Sequence, residues 1–285
     1  MPGSHKRYNR GSGHEAHTGT TERRLNTIFA IVNQKGGVGK TTTSINLSAA
    51  FAQKGLRTLL VDCDPQGNAT SGLGVDKDTL EACLYDCLVS GIAAADVRKP
   101  CSMPGLWILP STMKLADAEV EIVEREGRET LLRRVLEPLR EEYDLIVIDC
   151  PPSMGLLTIN ILAAADSAII PMQCEYYSLE GVTSLLKIIE LVRGQINPTL
   201  KLGGVLATMY DSRMNLTEQV MGELRAYFGD SLFKTFIPRN VRLSEAPSHG
   251  RSVLEYDPRC RGAAAYVQLA EEIIARGTKG PGARA

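Results

Sequence analysis

The chain has 285 residues, of which 44% are hydrophobic and 23% are charged, and its formal net charge is -1. This length and apolar content suit one large α/β domain, and the near-neutral charge is not that of a dedicated, strongly basic nucleic-acid-binding domain. No apolar run reaches the roughly 18 residues needed to cross a bilayer, and none follows the charged N-terminus, so we expect a cytoplasmic protein without membrane anchor or secretory signal.

The first 24 residues are rich in Gly, Ser, Thr, His and Arg and contain almost nothing apolar, which predicts a disordered, mildly basic tail at 1–24. We expect a single folded domain over 25–277 and a flexible C-terminus at 278–285. Short apolar runs alternate with helical patterns from Leu25 onward. The predicted strands are 27–33, 57–62, 106–110, 144–149, 167–172, 202–209 and 232–238. The predicted helices are 42–54, 115–126, 129–139, 179–193 and 263–275.

Continuous apolar runs separated by helices are typical of a parallel sheet that is covered on both faces. The order of elements predicts a three-layer α/β/α fold, doubly wound around a mostly parallel sheet, with its ligand at the carboxyl ends of the strands. Seven cysteines are scattered without a CxxC pair and mostly in apolar surroundings, which indicates reduced, buried thiols.

The stretch "NQKGGVGKTT", residues 33–42, lies between the first predicted strand and the first helix. Its glycines would let backbone N–H groups curl around a phosphate, Lys40 would reach the β and γ phosphates, and Thr41 would offer its hydroxyl to Mg²⁺. The loop departs twice from the general phosphate-loop pattern, because Gln34 replaces a glycine and a second lysine, Lys35, is present.

Acidic residues end two other apolar strands. Asp149 ends "DLIVID", where a phosphate-loop fold keeps the acid that holds Mg²⁺, usually through water, and Asp62 and Asp64 end "TLLVDCD". A single strand-end Asp is as often a turn cap as a functional group. Three such acids downstream of a glycine-rich loop indicate a magnesium nucleotide site.

These residues resemble the deviant Walker A ATPases, and the segments "KGGVGKTTT", "VDCDPQGN", "IDCPPS" and "PRNVRLSEAPSHG" resemble the ParA/Soj chromosome-partitioning branch. The resemblance runs from about Thr27 to about Ala275. It implies a homodimer in which two subunits sandwich two ATP molecules and Lys35 reaches the nucleotide of the other subunit. A cation delivered in this way can lower the barrier to phosphoryl transfer, as an arginine finger does.

The resemblance also implies roles for individual residues. Lys35, Lys40 and Asp64 would be catalytic, with Asp64 positioning or polarising the attacking water, and Asp62 and Asp149 would support the metal together with Thr41. The implied ATP-binding residues are Lys35, Gly36, Gly37, Val38, Gly39, Lys40, Thr41, Thr42, Pro238 and Asn240. The last two would lie beside the adenine, and the family places 209–211 near the nucleotide.

Charge is distributed unevenly along the chain. Residues 62–149 contain 18 acidic and 9 basic side chains, whereas 187–261 contain 8 acidic and 11 basic ones. The resemblance implies an ATP dimer that binds double-stranded DNA without sequence preference, is nucleoid-associated, and is released when a ParB-type centromere-binding protein stimulates its slow ATPase. Arg213 and Arg242 match arginines that the family uses for DNA, although a solvated surface charge is the commoner role of an arginine.

Three other classes of relative remain possible from the sequence. A MinD-like ATPase would bind membranes through a C-terminal amphipathic helix, but Glu271 and Glu272 and a glycine-rich end do not favour this. An iron–sulfur relative would need a second cysteine besides Cys150 in the family's pattern. A metabolic synthetase would need its own substrate pocket. Separately, only about 25 residues precede the first predicted strand, which disfavours an added operator-binding region.

Overall fold

The computed structural model describes residues 25–175 and 178–278. The tail predicted at 1–24 lies outside these residues, as does the C-terminus predicted at 278–285 except for Thr278, which ends the last helix. Seven strands form one sheet in the order β3-β4-β2-β5-β1-β6-β7. Their bounds are β1 Thr27–Ile31, β2 Thr58–Asp62, β3 Lys99–Pro100, β4 Leu106–Leu109, β5 Leu145–Asp149, β6 Ser167–Gln173 and β7 Lys201–Thr208.

Helices cover both faces of this sheet, so the predicted doubly wound, three-layer fold is confirmed. Their bounds are α1 Lys40–Gln53, α2 Asn68–Gly72, α3 Leu84–Val89, α4 Ala94–Val97, α5 Leu115–Ile122, α6 Leu131–Leu136, α7 Leu156–Ala164, α8 Ser178–Gln195, α9 Asn215–Phe228, α10 Val241–Glu245, α11 Val253–Tyr256 and α12 Arg261–Thr278. Every residue of β2 and β5 is buried, as strands in the middle of a two-sided sheet require. Among the strands of the described residues, only β3 pairs antiparallel, at the sheet edge.

The predicted strand at 232–238 is wrong as a regular strand. Phe233 and Ile237 do donate backbone hydrogen bonds to the β7 carbonyls of Val205 and Ala207. Between them, however, the N–H groups of Lys234 and Thr235 donate to the Glu272 carboxylate of α12. A carboxylate from a distant helix therefore takes the donors that would continue the ladder, and only isolated bridges remain.

Helix α7 was not predicted because its sequence, "LLTINILAA", is apolar on all sides and has no helical period to detect. Seven of its nine residues are buried, which explains the pattern. The predicted helix at 115–126 ends at Ile122 instead, ahead of Gly127, whose φ of 69° lies in the left-handed region.

No helix in the described residues is both long enough and apolar enough to cross a membrane. Five cysteines are buried: Cys63, Cys83, Cys87, Cys150 and Cys174. Burial raises the pKa of the Cys87 thiol to about 12, which keeps it protonated and unreactive.

Candidate nucleotide site

The strand order brings the predicted site residues to one edge of the sheet. Strand β5 lies between β1 and β2, and Asp149 at its end is level with Ile31 of β1 and Asp62 of β2. The glycine-rich loop that follows β1 therefore begins beside both acidic strand ends. This is the edge where an open α/β sheet binds its ligand.

The glycine-rich loop has the shape of an open cradle. Gly37 and Gly39 have φ values of 74° and 88°, which only glycine adopts readily. A Cβ added at Gly36 or Gly37 would meet no atom within 4 Å, so the space beside these two glycines is open.

Two distant strands hold the carbonyl groups of this loop. Thr208 Oγ1 donates to the Val38 carbonyl at 2.9 Å, and Gln173 Nε2 donates to the Gly37 carbonyl at 2.8 Å. Because these carbonyl oxygens are turned toward protein donors, the neighbouring N–H groups are available for an anion at the start of α1. Sequence reasoning missed both residues, since nothing near them in the chain signals a contact with the loop.

Lys40 points into the site. Its side chain is buried, with 7% exposed, and its Nζ donates to the backbone carbonyl of Lys35 at 3.1 Å. Burial lowers the pKa of the Lys40 amine, and the nearby carboxylates of Asp149 and Asp64 oppose this shift. A partly desolvated ammonium of this kind gains strongly from a bound phosphate.

Lys35 points the other way. Its Nζ forms an ion pair with Glu175 at 3.0 Å, and both side chains remain about half exposed. The two lysines of the loop therefore lie in different environments: Lys40 lies inside the cradle of its own chain, whereas the amine of Lys35 lies outside it.

Asp149 combines complete burial with an unused oxygen. Oδ1 accepts a hydrogen bond from Ser44 Oγ at 2.8 Å, whereas Oδ2 is buried and has no partner among the described residues. Burial raises the pKa of Asp149, Asp62 raises it further, and the hydroxyls of Thr41 and Ser44 partly offset this effect. A buried carboxylate with a free oxygen beside a hydroxyl suits a bound cation or its water. Ser44 was also missed from the sequence.

Asp62 is already engaged by protein donors. Oδ2 accepts from both the N–H and the hydroxyl of Thr70, and Oδ1 accepts from the N–H of Asp64. Burial raises the pKa of Asp62 as well. Asp64 is 8% exposed, and its Oδ1 accepts from the N–H of Gln66, which fixes the turn after β2.

No group of three or more His, Cys, Asp or Glu residues in the described part of the chain is arranged to hold a metal ion. The predicted metal residues Thr41, Asp62 and Asp149 therefore do not form an all-protein cage. Magnesium in nucleotide sites usually keeps several waters and binds through one or two protein groups plus phosphates, and a hydroxyl beside an open carboxylate fits that pattern.

A cleft of about 170 Å³ lies beside the first turn of α1. Pro238 and Asn240, the two residues expected beside the adenine, line it together with Thr42, Met209 and Tyr266. Asn240 also caps α10 by accepting from the N–H of Arg242 at 2.9 Å. The cleft therefore adjoins the loop that would hold the phosphates.

The two predicted DNA-binding arginines each contact acids of their own chain. Arg213 is 84% exposed and pairs with Asp211 at 2.6 Å, and this hydrogen bond lowers the pKa of Asp211 to about 2. Arg242 pairs with Glu245 at 2.7 Å and with Asp257 at 3.3 Å. Both guanidinium groups are accessible, and neither is free of a counter-charge.

The buried charge of Asp149 has a measurable consequence for stability. A carboxyl whose pKa is raised on folding binds more protons in the folded state, so its contribution to stability falls as pH rises through the raised pKa. We expect Asp149→Asn to raise the melting temperature of the nucleotide-free protein by about 2–4 °C at pH 8, with a smaller gain at pH 5. Thermal unfolding without magnesium measures this, and a variant that melts below the wild type at both pH values would contradict it.

Comparison with known proteins identifies the family. A sequence model described as an AAA domain, AAA_31, matches residues 26–202. The sporulation initiation inhibitor protein Soj of Bacillus subtilis is 56% identical over 250 residues, which cover 88% of this chain and 99% of that protein. The chromosome partitioning protein ParA of Myxococcus xanthus is 51% identical over 88% of this chain and 89% of its own length. This chain belongs to the ParA/Soj family.

Solved structures agree with the ParA/Soj fold. A cobyrinic acid a,c-diamide synthase of Mycobacterium smegmatis, bound to ADP and magnesium, superposes with a TM-score of 0.79 at 35% identity over 89% of this chain and 96% of that chain. The cell division ATPase MinD of Pyrococcus furiosus superposes with a TM-score of 0.71 at 26% identity, over 88% of this chain and 99% of that one. Both are more distant in sequence than the ParA and Soj relatives.

Proposed function

We propose that this chain is an ATP-dependent dimerising switch for the segregation of chromosomes or plasmids. In its ATP state it binds double-stranded DNA without sequence preference, and a ParB-type protein stimulates its slow hydrolysis of ATP to ADP and phosphate and thereby releases it. The observation that carries this proposal is the opposite orientation of the two loop lysines. Lys40 is buried in its own phosphate cradle, while Lys35 projects toward Glu175 and the surface.

The cradle supports ATP as the nucleotide. Gly36, Gly37, Val38 and Gly39 would surround the phosphates with backbone N–H groups, Lys40 would neutralise the β and γ phosphates, and the cleft at Pro238 and Asn240 would take the base. The structures of relatives with bound ADP, an ATP analogue and magnesium support the same assignment.

Thr41 and Asp149 fit a magnesium ion, with Asp62 contributing through water. A magnesium ion held by these residues would supply positive charge to stabilise the phosphates during hydrolysis. The role of the chain is to supply the Thr41 hydroxyl and the open Oδ2 of Asp149 and to exclude bulk water around them. Asp62 mainly holds Asp64 and the first turn of α2 in place, because both of its oxygens accept protein hydrogen bonds.

Asp64 is the group we assign to the attacking water. It follows β2 at the same sheet edge as Lys40 and contributes to the electrostatic field there. One of its oxygens is fixed by the N–H of Gln66, so the carboxylate is held in a defined direction by its own turn. A positioned carboxylate can orient a water in line with a γ phosphate.

Dimerisation supplies the cation that a single subunit lacks. In one chain the Lys35 amine is occupied by Glu175 and lies outside the cradle. We propose that it enters the nucleotide site of a second copy, so that hydrolysis depends on the dimer. The same closure would place two sets of Arg213 and Arg242 on one assembly and multiply the DNA contacts.

The C-terminal helix does not support the membrane alternative. Its apolar residues Tyr266, Leu269 and Ile273 are buried in the domain core. Its acidic residues contact other groups of the same chain. Glu271 pairs with Lys54 and Glu272 accepts from two backbone N–H groups. No apolar face of α12 is therefore left for a lipid surface, and the MinD relative is only 26% identical.

The DNA surface can be tested by reversing charge. We expect the double variant Arg213→Glu and Arg242→Glu to lose DNA retention at about 100 mM salt and to keep its ATP-dependent dimer. Each phosphate contact contributes a slope of about -0.9 in log affinity against log salt, so the wild type should show a steep slope without base preference. Electrophoretic retention of two unrelated duplexes measures this. The matched control, Arg193→Glu, reverses the charge of an arginine that is 48% exposed and paired with Glu190. If the double variant retained DNA as well as this control does, the assignment of Arg213 and Arg242 to DNA binding would be refuted.

The function as a whole is tested by size-exclusion chromatography with ATP, with ADP and without nucleotide, each repeated with a nonspecific duplex. We expect a dimer only with ATP and co-elution with DNA only in that state. Parallel ATPase assays should show stimulation by DNA together with the ParB-type protein and no need for a small acceptor molecule. A monomer under all three conditions would overturn the proposal.

A further inference from the structure

An exposed apolar stripe runs along α5 and the turn before it, away from the nucleotide cradle. Met113, Val120 and Val123 are 60%, 75% and 41% exposed, and Ala116 between them is exposed too. The spacing of these residues, three, then four, then three, puts them on one side of the helix. The opposite side carries Leu115, Ala118 and Ile122, which are buried in the core. We name residues 113, 116, 120 and 123 the α5 stripe.

The border of the α5 stripe is acidic. Asp117, Glu121 and Glu124 lie along one side of it and are exposed. Glu121 accepts a hydrogen bond from Tyr85, whereas Asp117 and Glu124 form no ion pair with any described residue. An apolar seam of this spacing beside unpaired carboxylates is complementary to a helix that carries apolar residues flanked by Lys or Arg.

A cleft continues the stripe at its first residue. About 520 Å³ of space lies next to Met113 and Lys114, and its lining includes Leu80, Ala82, Asp86 and Lys77. The α5 stripe spans the eleven residues 113–123, a length of about 15 Å at the rise of a helix. A partner helix of about three turns would cover it and place one long side chain in the cleft.

The α5 stripe is connected to the loop that follows Asp149. Glu119, on the side of α5 away from Asp117, accepts the backbone N–H of Leu157 at 2.9 Å and so caps the first turn of α7. A Cβ at Gly155 would lie 2.3 Å from the same carboxylate, so a larger residue there would displace this side chain. Residues 150–155 join Asp149 to α7. A helix docked on α5 would therefore contact the element that holds the loop beside the proposed magnesium site.

We propose that the α5 stripe docks a basic amphipathic helix of the protein that stimulates hydrolysis. This inference rests on the proposed function for the existence of that protein. The surface, the helical form and the positive charge of the docking segment come from the geometry of residues 113–124. The opposite charges would steer association, and the apolar seam would set the register of the helix.

The test uses the full-length chain with ATP, duplex DNA and the purified ParB-type protein of the same organism. We expect Val120→Asp, and separately Glu121→Lys with Glu124→Lys, to raise the partner concentration for half-maximal stimulation at least tenfold. Basal and DNA-stimulated hydrolysis should stay within twofold of the wild type. Tyr227→Asp is the matched control, since Tyr227 is an apolar residue on α9 that is 57% exposed, and it should respond as the wild type does.

Hydrogen exchange separates this inference from the proposed function. The partner should slow amide exchange in residues 113–124 of the wild type and not of the Val120→Asp variant. Protection without any stimulation of hydrolysis would refute the proposed switch and leave the docking site standing. The inference would be overturned by an unprotected α5 or by variants that respond like the wild type. Loss of the ATP-dependent dimer in Val120→Asp would also overturn it, because that result would assign the α5 stripe to a second copy of this chain.

Discussion

Replacing Lys35 with alanine is expected to abolish the ATP-dependent dimer while ATP binding persists, and to lower turnover by roughly 10³-fold or more. The estimate follows from the effect of an arginine finger delivered in trans, about 10³–10⁵ in rate. Binding should survive because the Lys35 amine contacts Glu175 outside its own cradle. The group that Lys40 contacts is the backbone carbonyl of Lys35, which alanine retains.

Light scattering with a nonhydrolysable ATP analogue and equilibrium nucleotide binding measure the two halves of this expectation. Lys54→Ala provides a matched control, because Lys54 is also an ion-paired surface lysine, bound to Glu271 at 2.6 Å and remote from the loop. The control should dimerise and hydrolyse ATP normally. An ATP-dependent dimer of Lys35→Ala would contradict the role of this lysine as a cation delivered between subunits.

Replacing Asp64 with alanine is expected to leave ATP binding and the dimer intact. Turnover should fall by about 10²–10⁴-fold, which is the usual contribution to the rate of a group that directs proton transfer. The carboxylate faces the same site as Lys40 and Asp149, and its removal takes away the group assigned to the attacking water. Single-turnover hydrolysis, with chromatography of the ATP complex, measures the outcome.

A second aspartate provides the control for the turn that Asp64 also stabilises. Asp76 accepts the backbone N–H two residues onward at 3.1 Å, as Asp64 accepts that of Gln66 at 2.9 Å, but it is exposed. Asp76→Ala therefore removes the same local hydrogen bond without touching the site and should hydrolyse ATP normally. Unaltered turnover in Asp64→Ala would remove the catalytic assignment.

The parts of the site that were predictable from the sequence depend on neighbours along the chain. Gly37, Gly39, Lys40 and Thr41 form their loop within a few residues between a strand and a helix, so their pattern alone indicates the phosphate cradle. Asp149 was predictable because a parallel strand brings its last residue to the ligand edge of the sheet.

Other parts depend on contacts between distant segments and left no local pattern. Gln173 and Thr208 hold the loop carbonyls from 136 and 170 residues away. Glu175 holds Lys35 from 140 residues away. Such side chains are ordinary polar residues at strand ends until the sheet order is known.

Two errors in the predicted elements have the same origin. Residues 232–238 have the composition of a strand, but Glu272 takes the N–H groups of Lys234 and Thr235, and this competition is visible only in the fold. Seven of the nine residues of helix α7 are buried, and the helix therefore lacks the alternation on which helix prediction depends. In both cases tertiary surroundings decide the local structure.

The hydrogen bonds from Thr208 and Gln173 to the loop carbonyls also affect how quickly the protein can bind a nucleotide. A loop that is already fixed by two strands loses little conformational entropy when a nucleotide arrives, so the ligand meets a preorganised receptor. We expect association rates close to those set by diffusional encounter. The rate at which a subunit exchanges ADP for ATP is then governed by how slowly ADP leaves. Thr208→Val, which removes one of these anchors, should slow nucleotide capture more than release.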